Sequence, residues 1–121
     1  MRKPGCNEDN VQMSDVLCDF CLQTWTEERP MVEGHQGSCI CGDCLAAAYR
    51  VLVMVESAVP ETPSKCILCL ELRSEPSWHA PADTATARVD GVQPSACRRC
   101  VRQSAAVLQK VSEFGWRKPT A

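Results

Sequence analysis

The sequence contains few of the aromatic side chains that fill hydrophobic cores: they make up 5% of its 121 residues. A chain of this length forms one domain or two very small ones. A unit of about 45 residues seldom folds on a hydrophobic core alone and usually needs a disulfide or a metal ion as well. The composition therefore predicts that such a cross-link holds the fold together.

Long hydrophobic runs are also missing. The N-terminal residues MRKPGCNEDN lack the apolar stretch of a secretory signal, so we expect a cytoplasmic protein with reduced thiols rather than disulfides. The longest apolar candidate, residues 45–59, is interrupted by Arg50, Glu56 and Ser57. This interruption argues against a membrane span.

Signatures of zinc and thiol enzymes are absent as well. Zinc deaminases carry H-x-E ahead of P-C-x-x-C, but His35 is followed by Gln-Gly and His79 by Ala-Pro. A thiol redox role would need C-x-x-C near a βαβ pattern, which the sequence does not show. We therefore predict that the protein is not an enzyme.

Cysteine, in contrast, is abundant, with ten residues. Eight of them form four C-x-x-C pairs, a spacing that lets one tight turn direct both sulfurs at a single ion. Four thiolates close a structural zinc shell, so the sequence predicts two structural Zn2+ ions per chain. The predicted ligands are Cys18, Cys21, Cys41, Cys44, Cys66, Cys69, Cys97 and Cys100.

The metal and the pairing of the ligands have alternatives. Iron also binds to paired cysteines. Sequential sites would join the first pair to the second and the third to the fourth, whereas a cross-brace would join Cys18/Cys21 to Cys66/Cys69. Sequential pairing is favoured, because each half of the chain has its own knuckle and its own helix.

Four further residues could bind metal but are not needed for two sites. We interpret Cys6 and Cys39 as free thiols, although Cys39 shares a strand face with the ligand Cys41. We expect His35 to be solvated in a turn, and His79 is a candidate spare ligand of the second site.

The cysteine pairs divide the chain into two unequal copies of one unit. We predict a flexible N-terminal tail at 1–13, a zinc module at 14–59, a linker at 60–64, a second zinc module at 65–113 and a C-terminal tail at 114–121. Each module would contain a cysteine knuckle, a β-hairpin and a helix whose first turn carries the last two ligands. The predicted fold is a small zinc-stabilised α+β protein with two tandem treble-clef-like modules.

The second copy is longer than the first. A shift of 56 residues lays Cys97 and Cys100 on Cys41 and Cys44, but 27 residues separate the two pairs in the second unit against 19 in the first. We assign the excess, within residues 74–94, to a longer hairpin loop.

Residues 45–59 are predicted to be a helix with apolar residues nearly all round it. Such a helix must be covered on more than one side. The cover could be the second unit, a second copy of the chain or another partner protein.

The charge of the chain bears on its partners. The formal net charge is −2 with neutral thiols, and two loaded zinc sites would bring it to about −6, because each site adds two positive charges and releases four protons. Binding to nucleic acid rests on neutralising phosphates, so we expect it to be weak. It remains the alternative function if a basic cluster forms from Arg98, Arg99, Arg102, Arg117 and Lys118.

Within residues 17–45, the stretches LCDFC and GHQGSCICGDCL resemble the four-cysteine zinc finger of the ClpX chaperone family. The resemblance implies that Cys18, Cys21, Cys41 and Cys44 bind zinc and that Phe20 and Ile40 pack beside the metal. It also implies a module that dimerises and binds substrates or adaptor proteins. The second unit matches only in its cysteines and helix.

The ATPase of that family does not follow, because no G-x-x-x-x-G-K-[ST] phosphate loop occurs here. The sequence therefore predicts a zinc-binding protein–protein interaction module, an adaptor or regulatory factor that binds partner proteins, a second copy of itself among them. Redox or metal-responsive sensing would instead require labile zinc and easily oxidised thiols.

Overall fold

The computed structural model describes residues 5, 7, 9–54, 64–73, 76–80 and 93–119. Two units follow one another in the described chain, each with a cysteine knuckle, a two-stranded antiparallel hairpin and a helix. The predicted fold class, a small α+β protein compatible with two tandem zinc modules, is confirmed.

The hairpin of the first unit brings the two cysteine pairs of that unit together. Strand β1 (Met31–Glu33) pairs with β2 (Cys39–Cys41), which runs directly into helix α1 (Gly42–Tyr49). The chain reverses between the strands through a 3-10 turn, His35–Gly37. Gly37 has φ 77, a backbone conformation that a residue without Cβ adopts at little cost.

The helix differs from the predicted one over residues 45–59. It begins earlier, because Cys41 is the N-cap and its Sγ accepts a hydrogen bond from the backbone N–H of Cys44 at 3.5 Å. After α1 the chain continues as a π-helical segment, Arg50–Met54, in which the backbone bonding widens to i→i+5. The predicted helix is therefore helical over its described part, residues 45–54, but changes from α to π after Tyr49. Residues 55–59 lie outside the described residues.

The second unit repeats this order, with a two-residue strand pair where the first unit has the single antiparallel bridge between Leu17 and Thr24. Strands β3 and β4 flank the knuckle, and β5 and β6 form the hairpin. The connection from β5 to β6 is ten residues longer than that from β1 to β2, so the excess length falls in the hairpin loop. The elements are β3 (Ser64–Lys65), β4 (Leu72–Arg73), β5 (Ser77–His79), β6 (Ser95–Cys97) and α2 (Arg98–Lys110).

Backbone hydrogen bonds show that the two units are copies in structure and not only in their cysteines. Three bonds of the first unit recur at equivalent positions in the second. With donor first, they are Leu22 N to Cys18 O and Leu70 N to Cys66 O, Asp19 N to Cys39 O and Ile67 N to Ser95 O, and Gly42 N to Pro30 O and Arg98 N to Pro76 O, all between 2.8 and 3.1 Å.

The two units share one hydrophobic core. Helix α1 packs against α2, so the second unit covers the apolar face of α1. The side chains buried there are Leu45, Ala48 and Leu52 from the first unit and Val101, Ala105 and Leu108 from the second.

The contacts around this helix pair are reciprocal. The Phe20 ring of the first knuckle lies on Trp78 in β5, with ring centroids 5.4 Å apart. Leu68 stands at the equivalent position of the second knuckle, and its carbonyl accepts a hydrogen bond from the N–H of His35 at 2.8 Å. Each knuckle therefore contacts the hairpin of the other unit, the pattern expected around a pseudo-twofold axis.

The C-terminal segment returns to the first unit. Trp116 donates a hydrogen bond from Nε1 to the carbonyl of Gly42 at 3.0 Å. Its ring lies so close that a Cβ on Gly42 would come within 2.7 Å of it, so position 42 has no room for a side chain. Among the described residues, no helix combines the length and the apolar character needed to cross a bilayer.

Candidate metal centres

The first candidate centre is formed by the knuckle and the start of α1. The sulfurs of Cys18, Cys21, Cys41 and Cys44 all lie within 4.8 Å of one another, and Cys21 Sγ is 3.6 Å from Cys41 Sγ. Zinc–sulfur bonds of about 2.3 Å in a tetrahedron place the sulfurs about 3.8 Å apart. The donor set therefore fits one Zn2+ ion.

Backbone N–H groups point at the sulfurs of this centre. Cys18 Sγ accepts from the N–H of Phe20 at 3.4 Å and from that of Cys41 at 3.3 Å. Donors of this kind favour the thiolate form that binds metal. They come from the knuckle turn and from the end of β2, so the fold of the unit stabilises the charged site.

The second candidate centre repeats the first. The sulfurs of Cys66, Cys69, Cys97 and Cys100 lie within 4.8 Å of one another, and the N–H of Cys97 donates to Cys66 Sγ at 3.4 Å. The clusters join the first cysteine pair to the second and the third to the fourth. The geometry is therefore sequential and not a cross-brace.

The thiols of each cluster influence one another strongly. Hydrogen bonding from Cys18 lowers the pKa of Cys41 and also lowers the pKa of Cys21 to about 7. The pKa of Cys44 is raised, first by its hydrogen bond to Cys18. In the second cluster, the hydrogen bond between Cys66 and Cys100 lowers the pKa of Cys66 and raises the pKa of Cys100. Without metal, protons therefore stay on part of each cluster, and binding a dication would displace them.

Three of the four residues that the sequence does not need as ligands are described, and all three lie outside both clusters. Cys39 is buried, and its Sγ lies 3.7 Å from the carbonyl of Gly37; burial raises the pKa of this thiol. His35 and His79 are exposed and belong to neither cluster of the described residues. Cys6 lies outside the described residues.

Phe20 and Ile40, implied by the family resemblance to pack beside the metal, are fully buried in the core together with Cys18 and Cys41. The sequence reasoning did not single out Leu22 and Leu70. Both follow the second cysteine of a knuckle, and both have φ 62, an unfavourable conformation for a branched side chain. Both leucines directly follow a C-x-x-C pair, and this repeated position in the sequence could have identified them.

Asp19 was also missed. Its buried carboxylate accepts a hydrogen bond from the N–H of Cys39 at 2.6 Å and so joins the knuckle to β2. The equivalent residue of the second unit is Ile67, which makes only the backbone bond. An acidic residue inside a C-x-x-C pair is the signal in the sequence, since a carboxylate held against the knuckle needs a hydrogen-bond donor.

Comparison with known proteins supports the first centre. Residues 16–53 match the family model of the ClpX C4-type zinc finger, which confirms the resemblance for the first unit. The second four-cysteine cluster fits a diverged copy of that unit. Searches of curated proteins and of solved structures find no significant match.

Proposed function

We propose that the protein is a zinc-stabilised protein–protein interaction module, an adaptor or regulatory factor in which both metals are structural. The match of residues 16–53 to the ClpX C4-type zinc finger carries this proposal. The two four-sulfur clusters support it, because four protein ligands leave a tetrahedral zinc ion no open position for a substrate or water. The protein is therefore not an enzyme in this proposal.

The surface left for a partner differs from the one that the sequence suggests. The apolar face of α1 is taken by α2, and Val51 and Met54 are the exposed apolar residues of the segment that follows α1. Leu72 and Val107, on the second unit, are exposed to a greater extent, 72% and 55%. Both units therefore expose apolar side chains that a partner protein can contact.

Self-association through α1 is disfavoured in this proposal. A second copy would have to displace α2 and expose Leu52 and Leu108, which are now buried. Exposing each such side chain costs about 1.5–3 kcal/mol. We expect light scattering of the zinc-loaded protein to give the mass of one chain, and a stable dimer would contradict this part of the proposal.

We also propose that each unit is a treble-clef-like zinc module and that the protein is cytoplasmic. The order of knuckle, hairpin and helix supports the former. The nine described cysteines are free thiols, which a reducing compartment would preserve for metal binding.

Affinity capture from a lysate tests the proposed function. The zinc-loaded protein is immobilised, and the retained material is compared before and after treatment with nuclease and with a chelator. We expect retained proteins that resist nuclease and are lost when zinc is removed, because the surface depends on the metal-held fold. Retention of nucleic acid alone, with every protein released by nuclease, would favour the alternative of a nucleic-acid-binding finger.

A further inference from the structure

Positive charge is concentrated in the last fifth of the chain. Residues 98–118 contain six of the 13 Lys and Arg residues and one acidic residue. Because the whole chain has a formal charge of −2, the remainder stands at −7. Helix α2 itself has four basic residues and no acidic one. Such segregation produces a local positive surface on an acidic protein.

The zinc site does not account for this charge, as the first unit shows. Equivalent positions on α1 to Arg98, Arg99 and Arg102 are occupied by Gly42, Asp43 and Ala46. The first centre has the same four-sulfur chemistry, but the one arginine beside it comes from outside the helix: Arg29 interacts with Cys41 and forms an ion pair with Asp43 at 3.2 Å. A four-thiolate centre thus forms in this fold without a basic helix beside it.

The basic side chains of α2 line two cavities that share one of them. One cavity of about 370 Å³ is bordered by Arg98, Arg99 and Arg102. A second, of about 360 Å³, is bordered by Arg102, Lys110 and Lys118 around an apolar floor. Arg102 borders both cavities. We call the surface formed by both cavities the basic groove; its residues used below are Arg98, Arg99, Arg102, Ala106, Lys110, Lys118 and Tyr49.

The fold holds the two ends of the groove in place. Arg98 donates from Nε to the carbonyl of Leu52 at 2.8 Å, which fixes the start of α2 against the first unit. At the other end, the N–H of Lys118 donates to Gln109 Oε1 at 3.0 Å. Arg99, Arg102, Lys110 and Lys118 are exposed, so a ligand can reach all four side chains from solvent.

We propose that the basic groove binds an acidic protein segment in which carboxylates flank an apolar side chain. The cations complement the carboxylates. Tyr49 and Ala106 line the same cavity as Arg102, Lys110 and Lys118 and offer apolar contact for one side chain of the segment. The inference rests on the proposed function and names the chemistry of the partner. Nucleic acid is the competing ligand, since it too is a polyanion.

Fluorescence anisotropy with the zinc-loaded full chain tests the proposal. The probes are a labelled 12-residue peptide with one Leu among Glu and Asp residues, the same peptide with Ser for Leu, and a labelled 12-nucleotide single strand of thymidine. We expect the Leu peptide to bind most tightly. Arg102→Glu should weaken it about tenfold or more, because a like charge then faces the carboxylates.

The matched control is Lys65→Glu, which makes the same charge change at an exposed residue outside the groove. It should change the affinity less than about twofold, since screening removes most long-range charge effects. Both variants are checked for two zinc ions per chain. Any of three results would overturn the proposal. They are an equal loss of affinity in both variants, no binding of the Leu peptide, and tighter binding of the oligonucleotide than of the Leu peptide.

The same Arg102→Glu variant separates this inference from the proposed function. If proteins retained in affinity capture are still retained by Arg102→Glu, the protein is an interaction module whose partner binds elsewhere, and the basic groove is not the docking site. If no protein is retained even by the wild type, the proposed function itself fails.

Discussion

The first and second units have the same knuckle, hairpin and helix but differ in what surrounds them. In the first, a buried carboxylate joins knuckle to strand, and the helix start is neutral or acidic; in the second, Ile67 and Arg99 stand at the positions of Asp19 and Asp43. The four-sulfur centre is common to both. A metal cluster therefore tolerates wide changes in its surroundings, because the ligands and the backbone turns specify it.

The two copies are expected to unfold together. Their helices share a core, and each knuckle contacts the other hairpin. A substitution that destabilises one unit should therefore also destabilise the other through their shared core, while each metal stays bound by its own ligands.

The largest effect is expected from removing a metal ligand. Cys66→Ser should lower the zinc content from two ions per chain to one and Cys18→Ser should do the same at the first site, because three sulfurs no longer complete the shell. The free energy of unfolding should fall steeply, since a structural zinc ion contributes about 10–16 kcal/mol at neutral pH. Elemental analysis and chemical denaturation measure the two quantities.

Cys39→Ser is the matched control for these ligand variants. Cys39 belongs to neither cluster, so both ions should remain. If Cys66→Ser keeps two ions, Cys66 is not a ligand, and if Cys39→Ser loses one ion, Cys39 is a ligand and its assignment as a free thiol is wrong.

The next largest effect should come from the equivalent knuckle residues that contact the opposite hairpin. Phe20→Ala should lower the free energy of unfolding by about 3–5 kcal/mol and Leu68→Ala by about 2–5 kcal/mol, because both leave cavities in buried sites. Phe20 should be the costlier, since it also loses its ring contact with Trp78. Urea titrations at constant zinc decide the order, and a larger loss for Leu68→Ala would contradict it.

A smaller effect is expected at the carboxylate that only the first unit has. Asp19→Ala leaves the N–H of Cys39 without its side-chain acceptor, which costs about 1–3 kcal/mol in a buried site. Asp19→Asn keeps an acceptor oxygen and should recover part of this loss. Equal destabilisation by both substitutions would mean that the charge, and not the hydrogen bond, is what matters.

The smallest effect is expected where the C-terminal segment returns to the first unit. Trp116→Phe removes the hydrogen bond to the Gly42 carbonyl but keeps an aromatic ring, so the loss should be about 0.5–1.5 kcal/mol. Thermal unfolding of the zinc-loaded protein can resolve this. An unchanged midpoint would show that the bond adds nothing to stability in the first unit.

The sequence by itself determined the parts of the structure that depend on local spacing. Two residues between cysteines set the geometry of each knuckle, and the pairs that follow β2 and β6 start the helices. The second cluster could likewise be predicted, because its spacing repeats that of the first. The order of elements and the presence of two centres follow from these short-range constraints.

Only the tertiary structure decided how the units meet and where their surfaces lie. The packing of α1 on α2, the contact of Phe20 with Trp78 and the return of Trp116 to Gly42 join residues far apart in sequence. The hydrophobic effect is not directional. The periodicity of apolar residues therefore predicts that a helix face is covered, but it does not predict which element covers it. The grouping of Arg102 with Lys118 likewise depends on how the tail follows the helix, which no spacing in the sequence encodes.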